Sequence, residues 1–187
     1  MANICPELEN HLAADECLEN FGGLGVTMYV FKKSDLVTPL VPVKNKYTLT
    51  SESFKSGTGL YKFECEEKQQ GHKFESLGRR GGFKQTLSYA FESVSDEDAE
   101  LLRALNNLDC GYLINDGSKT IIVYDKDHKF VYDNAGIQGD TGKQPEDERR
   151  TTLEGSLSPT IYHRYVVDAP EGGWDTLLAQ PKPETKD

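Results

Sequence analysis

No stretch of these 187 residues approaches the roughly 18 consecutive apolar residues that a membrane-crossing helix needs, so no such helix and no membrane partner are expected. Residues 1–20 carry acids where a secretory leader has a basic start and an apolar middle. That predicts a protein made and kept inside a cell, or released by lysis. Cysteine is scarce: Cys5, Cys17, Cys65 and Cys110 lie too far apart for a CxxC pair and are read as reduced thiols. A metal centre on Cys5, His11 and Cys17 fits no usual zinc spacing and has no evident fourth ligand. Asn-x-Ser/Thr sequons are absent as well, in keeping with an intracellular origin. Positive charge is the last deficit: 21 Lys and Arg against 31 Asp and Glu leave a net charge of −10. A chain so acidic does not wrap nucleic acid by neutralising phosphates unless its few basic residues cluster.

What is present is a foldable chain. Nine Tyr, eight Phe and one Trp are too many for a disordered acidic polymer, and the length suits one domain with tails. Residues 1–22 form an acidic N-terminal arm, with Glu7, Glu9, Asp15, Glu16 and Glu19 and no Lys or Arg. A short helix or a docked arm are both open there. A single β-rich domain is expected over 23–168. Val26–Phe31 is β-branched and aromatic, Pro39 and Pro42 make 37–43 an extended connector, and Tyr47–Thr50 resumes alternation. From Leu60 to Glu66 the period of two places Tyr61, Phe63 and Cys65 inward and Lys62, Glu64 and Glu66 outward. Gly78–Gly82, with Arg79 and Arg80, reads as a basic hairpin turn, and Phe83, Gln85, Leu87, Tyr89 and Phe91 share one face of the strand that follows.

The one helix is expected at Asp96–Leu108. Ser95 caps it, acids fill its first turn, and Leu101, Leu102, Leu105 and Leu108 recur at helical spacing. Asn115-Asp116-Gly117, between two apolar runs, predicts a hairpin, and Asp125–His128 a second turn. Gly136, Gly139 and Gly142, with the acids at 146–148, predict a loop of about fifteen residues, long enough to serve function or assembly. Thr151–Leu157 and Ile161–Val167 supply the last strands. Residues 169–187 form a C-terminal arm or disordered tail, whose Trp174 docks either on a neighbour or on its own domain. The expected fold is therefore mainly β, a sandwich or barrel, with one α-helix and α+β at most.

Patterns that would carry chemistry fail on spacing. Gly136–Gln144 has Ile137 where a phosphate-binding P-loop needs Gly, and Gln144 where it needs Ser or Thr. The basic turn precedes a strand, not the helix of a dinucleotide fold. His11, His72, His128 and His163 are isolated. His163 on a strand beside Glu154 would make a general-base pair, but no candidate nucleophile accompanies it. Glu66-Glu67 and Glu146–Glu148 lack calcium-loop spacing and read as solvated charge. No enzyme, cofactor or metal is expected.

A compact β domain with arms at both ends and one long loop is the outline of a self-assembling structural protein. The strand after Gly22-Gly23, the single helix, the hairpin at Asn115–Gly117, the glycine-rich loop 135–142 and the closing strands 151–167 together resemble the tail-tube, or major tail, proteins of tailed bacteriophages and prophages. The resemblance covers most of the chain and is organisational, without a diagnostic motif. It implies a virion protein assembled in the host bacterial cytoplasm. Its subunits would join sheets into a homo-oligomeric ring, usually a hexamer, and the rings would stack through a long loop with other virion proteins around a lumen. DNA would pass that lumen without specific binding, and an acidic wall would repel it. A head-decoration or head–tail connector protein, or a small-ligand-binding β domain, are the alternatives. The assembly contacts expected on this reading are Arg79, Arg80, Gly136, Gly139, Gly142 and Trp174, the arginines meeting an acidic arm of the next subunit. Replacing Arg79 and Arg80 together with Ala is then expected to weaken ring or tube formation in negative-stain images. Unchanged assembly removes the basic turn from the interface.

Overall fold

Tyr112-Leu113-Ile114 and Ile121-Ile122-Val123 are apolar at consecutive positions, a pattern that suits a strand only when both faces of its sheet are covered. That is their setting. The computed structural model describes residues 24–66, 69–91, 96–117, 119–140 and 150–179. Its elements are β1 (Thr27–Lys32), β2 (Lys46–Tyr47), β3 (Tyr61–Glu64), β4 (Gly71–Ser76), β5 (Phe83–Phe91) and α1 (Asp96–Asn107). They are followed by β6 (Cys110–Asn115), β7 (Thr120–Val123), β8 (Phe130–Asp140), β9 (Arg150–Thr160) and β10 (Tyr165–Val167). Six strands form one sheet in the order β2-β10-β7-β6-β1-β3, and four form a second in the order β4-β5-β9-β8. The described residues are mainly β with one α-helix, as the patterning predicts.

Alternation sorts the larger sheet's side chains into two cores. Met28, Val30, Tyr112, Ile114, Ile121 and Val123 face the smaller sheet, where they meet Leu87, Tyr89, Phe130, Leu153 and Leu157. The intervening Phe31, Leu113 and Ile122 face away, into a second core with Leu36, Leu40, Tyr47, Leu49, Phe54, Tyr124 and Leu177. The long connection from β1 to β3 covers this second face. It is held there by polar contacts among buried tyrosines: the Leu40 N–H donates to Tyr124 Oη at 3.1 Å, and Tyr47 Oη donates to the Tyr124 carbonyl at 3.3 Å.

The residues after β10 close the same core. Leu60 N–H donates to the Leu177 carbonyl and the Ala179 N–H to the Leu60 carbonyl, both at 2.8 Å. Trp174 packs on Tyr29 with ring centroids 6.5 Å apart and donates through Nε1 to Thr120 Oγ1 at 3.1 Å. Over residues 169–179, therefore, the expected C-terminal arm is docked on its own domain. Residues 1–23 and 180–187, including the rest of both expected arms, lie outside the described residues.

Other local expectations are corrected. Tyr61 is exposed and Leu60 is the buried neighbour, because Leu60 meets Leu177 and Leu178 while Tyr61 lies under the Lys32 ammonium at an edge. Leu108 falls just beyond α1 and is 40% exposed, whereas Leu105 is buried. Ile161–His163 is a turn, so the final strand is only Tyr165–Val167. Expected loop residues 136–140 belong to β8. They pair with β9 from Ile137–Leu153 to Asp140–Arg150, after a bulge between Tyr132 and Ile137. The expected hairpins at Gly78–Gly82 and Asn115–Gly117 form, with Gly78, Arg80, Gly82 and Gly117 in the left-handed region.

Gly111 of β6 lies directly against the second core. A Cβ built there would lie 2.4–2.9 Å from three atoms of the fully buried Phe31 ring. Gly111→Ala is expected to lower stability by about 1–3 kcal/mol, the usual cost of overpacking, read as a lower denaturant midpoint at unchanged slope. An unchanged midpoint would show that the ring can move aside.

Candidate assembly surfaces

The two sheets differ in what they leave open. Register puts Thr86 opposite Ser156, Ser88 opposite Glu154 and Ala90 opposite Thr152 on the outward face of the smaller sheet. Lys73 and Glu75 on β4, and Val131 and Gln138 on β8, extend that face to its margins. Its centre is thus lined by hydroxyls. Its charged side chains include Lys73, Lys84 and Arg150 on one side of the balance and Glu75, Asp133, Asp140 and Glu154 on the other. Lys84 and Glu75 also approach each other at 3.8 Å.

Among the described residues, β4 and β8 each pair on one side only. An edge strand of this kind, with no second strand partner among the described residues, is the usual template for adding a strand. Phe74 on β4 is 55% exposed and Val131 on β8 58%, so both margins also show apolar side chains.

The ends of this sheet are distinct. Arg79 and Arg80, both exposed, sit in the β4–β5 turn, close to the Phe83–Thr160 pair. The Asp140–Arg150 pair marks the opposite end, separated from the turn by nine residues of β5, or about 30 Å. Residues 141–149, which include Gly142 and the acids at 146–148, connect β8 to β9 at that far end and lie outside the described residues. Gly136 and Gly139, expected in a loop, are strand residues. A Cβ on Gly136 would meet the Glu154 carbonyl at 2.3 Å, so glycine there serves the bulge and not a free loop. Trp174 is spent on its own domain, and no assembly contact is needed to explain it.

Beside the turn, a hollow of about 620 Å³ is lined by Val41, Pro42, Arg80, Pro159, Ile161 and Tyr165, among others. A second, of about 360 Å³, lies at the β4 margin and includes Leu24, Gln70, His72, Lys73, Phe74, Asp116, His163 and Arg164. In it, Arg164 pairs with Asp116. His72 Nε2 meets Gln85 Oε1 at 3.2 Å, and the fully buried Gln85 donates to Thr160 Oγ1 and to the Tyr162 carbonyl. Burial pulls His72 below its usual range, and nearby Arg164 adds to that shift. His163 stacks against Phe74 and Phe83, with centroids 4.6 and 5.8 Å away. Glu154 lies on the outward face, so the general-base pair does not form.

Sequence reading also missed a hydroxyl cluster between the sheets. Tyr132 Oη bridges Tyr89 Oη at 2.6 Å and Tyr112 Oη at 2.7 Å. Burial raises all three phenols, that of Tyr132 to about 12. The three tyrosines come from different strands, and no local motif could announce them. Cys65 and Cys110 are buried free thiols, each pushed up to about 11 by burial, which keeps them protonated at neutral pH. Among the described residues, no three His, Cys, Asp or Glu side chains group as metal ligands, and no helix is long and apolar enough to cross a membrane. Cys5, His11 and Cys17 lie outside the described residues. Neither a family model, nor a curated protein, nor a solved structure matches this chain.

The tyrosine cluster makes a testable contribution to stability. Tyr132→Phe removes the bridging hydroxyl, leaves the other two short of a partner, and should cost about 1–3 kcal/mol by denaturant titration. The unfolded chain loses the Tyr132 proton near 10, while the folded chain holds it to about 12. Above pH 10 the unfolded state therefore binds fewer protons, and stability falls as pH rises through that window. Tyr132→Phe should make this fall shallower. An equally steep fall would exclude Tyr132 as one of its sources.

Proposed function

We propose that this chain is a structural, self-assembling subunit of the tail-tube type, forming rings that stack around a DNA-conducting lumen in a phage or prophage virion. The observation that carries the reading is the four-stranded sheet, whose outward face bears Thr86, Ser88, Thr152 and Glu154 and whose strands β4 and β8 each pair with a strand on one side only among the described residues. An antiparallel sheet with two free edges of this kind suits head-to-tail joining, β4 of one subunit beside β8 of the next, which closes into a ring when the rotation allows. The polarity of the ends supports stacking in the same sense. The basic turn at Arg79 and Arg80 and the loop containing Glu146, Asp147 and Glu148 belong to opposite ends of the sheet, so the loop of one ring would meet the basic end of the next.

Hydroxyls at Thr86, Ser88, Thr152 and Ser156, interspersed with Lys73, Lys84 and Arg150 and with Glu75, Asp133, Asp140 and Glu154, give a wall with little attraction for phosphate. Smooth passage then rests on the absence of a basic patch. A head-decoration or connector role would use the same edges in a different polymer, and a small-ligand-binding role would need no polymer at all.

Negative-stain images and light-scattering mass at several concentrations test the reading. Hollow rings or tubes are expected, and a monomer at every concentration would refute it. Val131→Asp, at an exposed edge position, should leave the monomer folded and raise the concentration needed for rings roughly tenfold or more, or ~1.4 kcal/mol. Rings that form equally well in this variant would take the β8 edge out of the joint.

A further inference from the structure

We propose that the cleft at the β4 margin binds a flat, uncharged heteroaromatic ring that carries an amino group beside a ring nitrogen, as adenine and cytosine do. Alternation along β4 puts His72 and Phe74 on one face and Lys73 on the other, so the chemistry of the cleft is that of the inward face. There His72 bonds Gln85, and Phe74 packs on Phe83 and His163, the latter with ring centroids 4.6 Å apart. Leu24 and Ile121 add apolar walls. At about 360 Å³ the cleft falls within the size range of small-molecule sites.

Two buried polar atoms in this lining lack partners. Gln70 is 7% exposed, and its Nε2 donates to the Glu66 carbonyl at 2.6 Å. That bond fixes the orientation of the amide and leaves Oε1 as an acceptor with no partner among the described residues. Arg164 donates through Nη2 to Asp116, yet its buried Nε–H has no acceptor. A ligand that offers a donor and an acceptor on adjacent atoms satisfies both. Its exocyclic amino group donates to Gln70 Oε1, and the neighbouring ring nitrogen accepts from Arg164 Nε. Phe74, 55% exposed despite its stack, supplies the face on which a flat ring lies.

Charge selects an uncharged ring over an anion. Arg164 is offset by Asp116. His72 stays neutral, because burial lowers its pKa and its Nε2–H is taken up by Gln85. Gln85 can only accept there, since its own amide donates to Thr160 Oγ1 and to the Tyr162 carbonyl. The inward side chains therefore offer phosphate no unopposed Lys or Arg. The base or its nucleoside is the expected occupant, and a 5′-phosphate adds no affinity. Every group named belongs to one subunit, so the site stands without the assembly reading.

The test titrates the full chain, at a concentration where it is monomeric, with adenosine, cytidine, purine riboside and adenosine 5′-monophosphate, followed by NMR. Adenosine and cytidine are expected to bind saturably and to move the Arg164 Nε–H signal and the amides of residues 70–74. Purine riboside lacks the amino group and should bind roughly tenfold more weakly than adenosine. That difference needs no variant, and it should vanish in Gln70→Ala if the amino group bonds this side chain. Phe74→Ala should weaken adenosine binding roughly tenfold and Phe74→Tyr should restore it, with unchanged β1 amides reporting an intact fold. The proposal is overturned if no shift saturates, if purine riboside binds as well as adenosine, or if its deficit survives Gln70→Ala. Affinity indifferent to Phe74→Ala, or a monophosphate that binds more tightly than its nucleoside, overturns it equally.

Discussion

The six-stranded sheet must bury two faces at once, and most of the architecture follows from that requirement. A strand sends successive side chains to opposite sides, so Tyr112-Leu113-Ile114 and Ile121-Ile122-Val123 deliver large apolar groups to both faces of the sheet. One face meets the smaller sheet. The other has no sheet to meet, and a long irregular connection has to cover it. That explains why a segment containing Pro39 and Pro42 is nonetheless held firmly, with Leu36, Leu40, Leu49 and Phe54 pointing into the core and the hydroxyls of Tyr47 and Tyr124 bonded to backbone. It also explains why the chain returns after β10 to place Leu177 and Trp174 on the same face.

The smaller sheet faces the opposite situation. Its inner face is buried in the core, while its outward positions are mostly Thr, Ser, Lys and Glu, with the buried Ala90 among them. Among the described residues, β4 and β8 each carry a strand partner on one side only, and on the proposed reading these margins would be joints and the wet face a wall.

Much of this was legible one element at a time. The β5 face of Gln85, Leu87 and Tyr89, the hairpin at Asn115–Gly117, the basic turn and the helix all follow from patterns within about a dozen neighbouring residues. Errors arose where a distant contact overruled the local pattern. Tyr61 yields its place inside to Leu60 because Leu177 and Leu178, more than a hundred residues away, pack on Leu60. Gly136 and Gly139 suggest a loop, yet pairing with β9 at Arg150–Leu153 and Gly155–Leu157 draws this segment into a strand, the surplus residues being taken up in a bulge. The local pattern puts His163 on a strand, although the chain must turn there to pass from one sheet to the other.

The amino-acid sequence by itself determined the class of fold, its order of strands and turns, and the lack of any local motif for catalysis or metal binding, because hydrophobic period, turn chemistry and ligand spacing are all short-range properties. Only the tertiary structure decided which strands share a sheet, which face of each sheet stays wet, and which margins remain open. It alone gathered Tyr89, Tyr112 and Tyr132 into one hydroxyl cluster and set Leu24, Gln70, Phe74 and Arg164 around one cleft. These groupings depend on strand register between segments far apart in the chain, and register is settled by the simultaneous burial of both cores, a condition that no local window of residues contains.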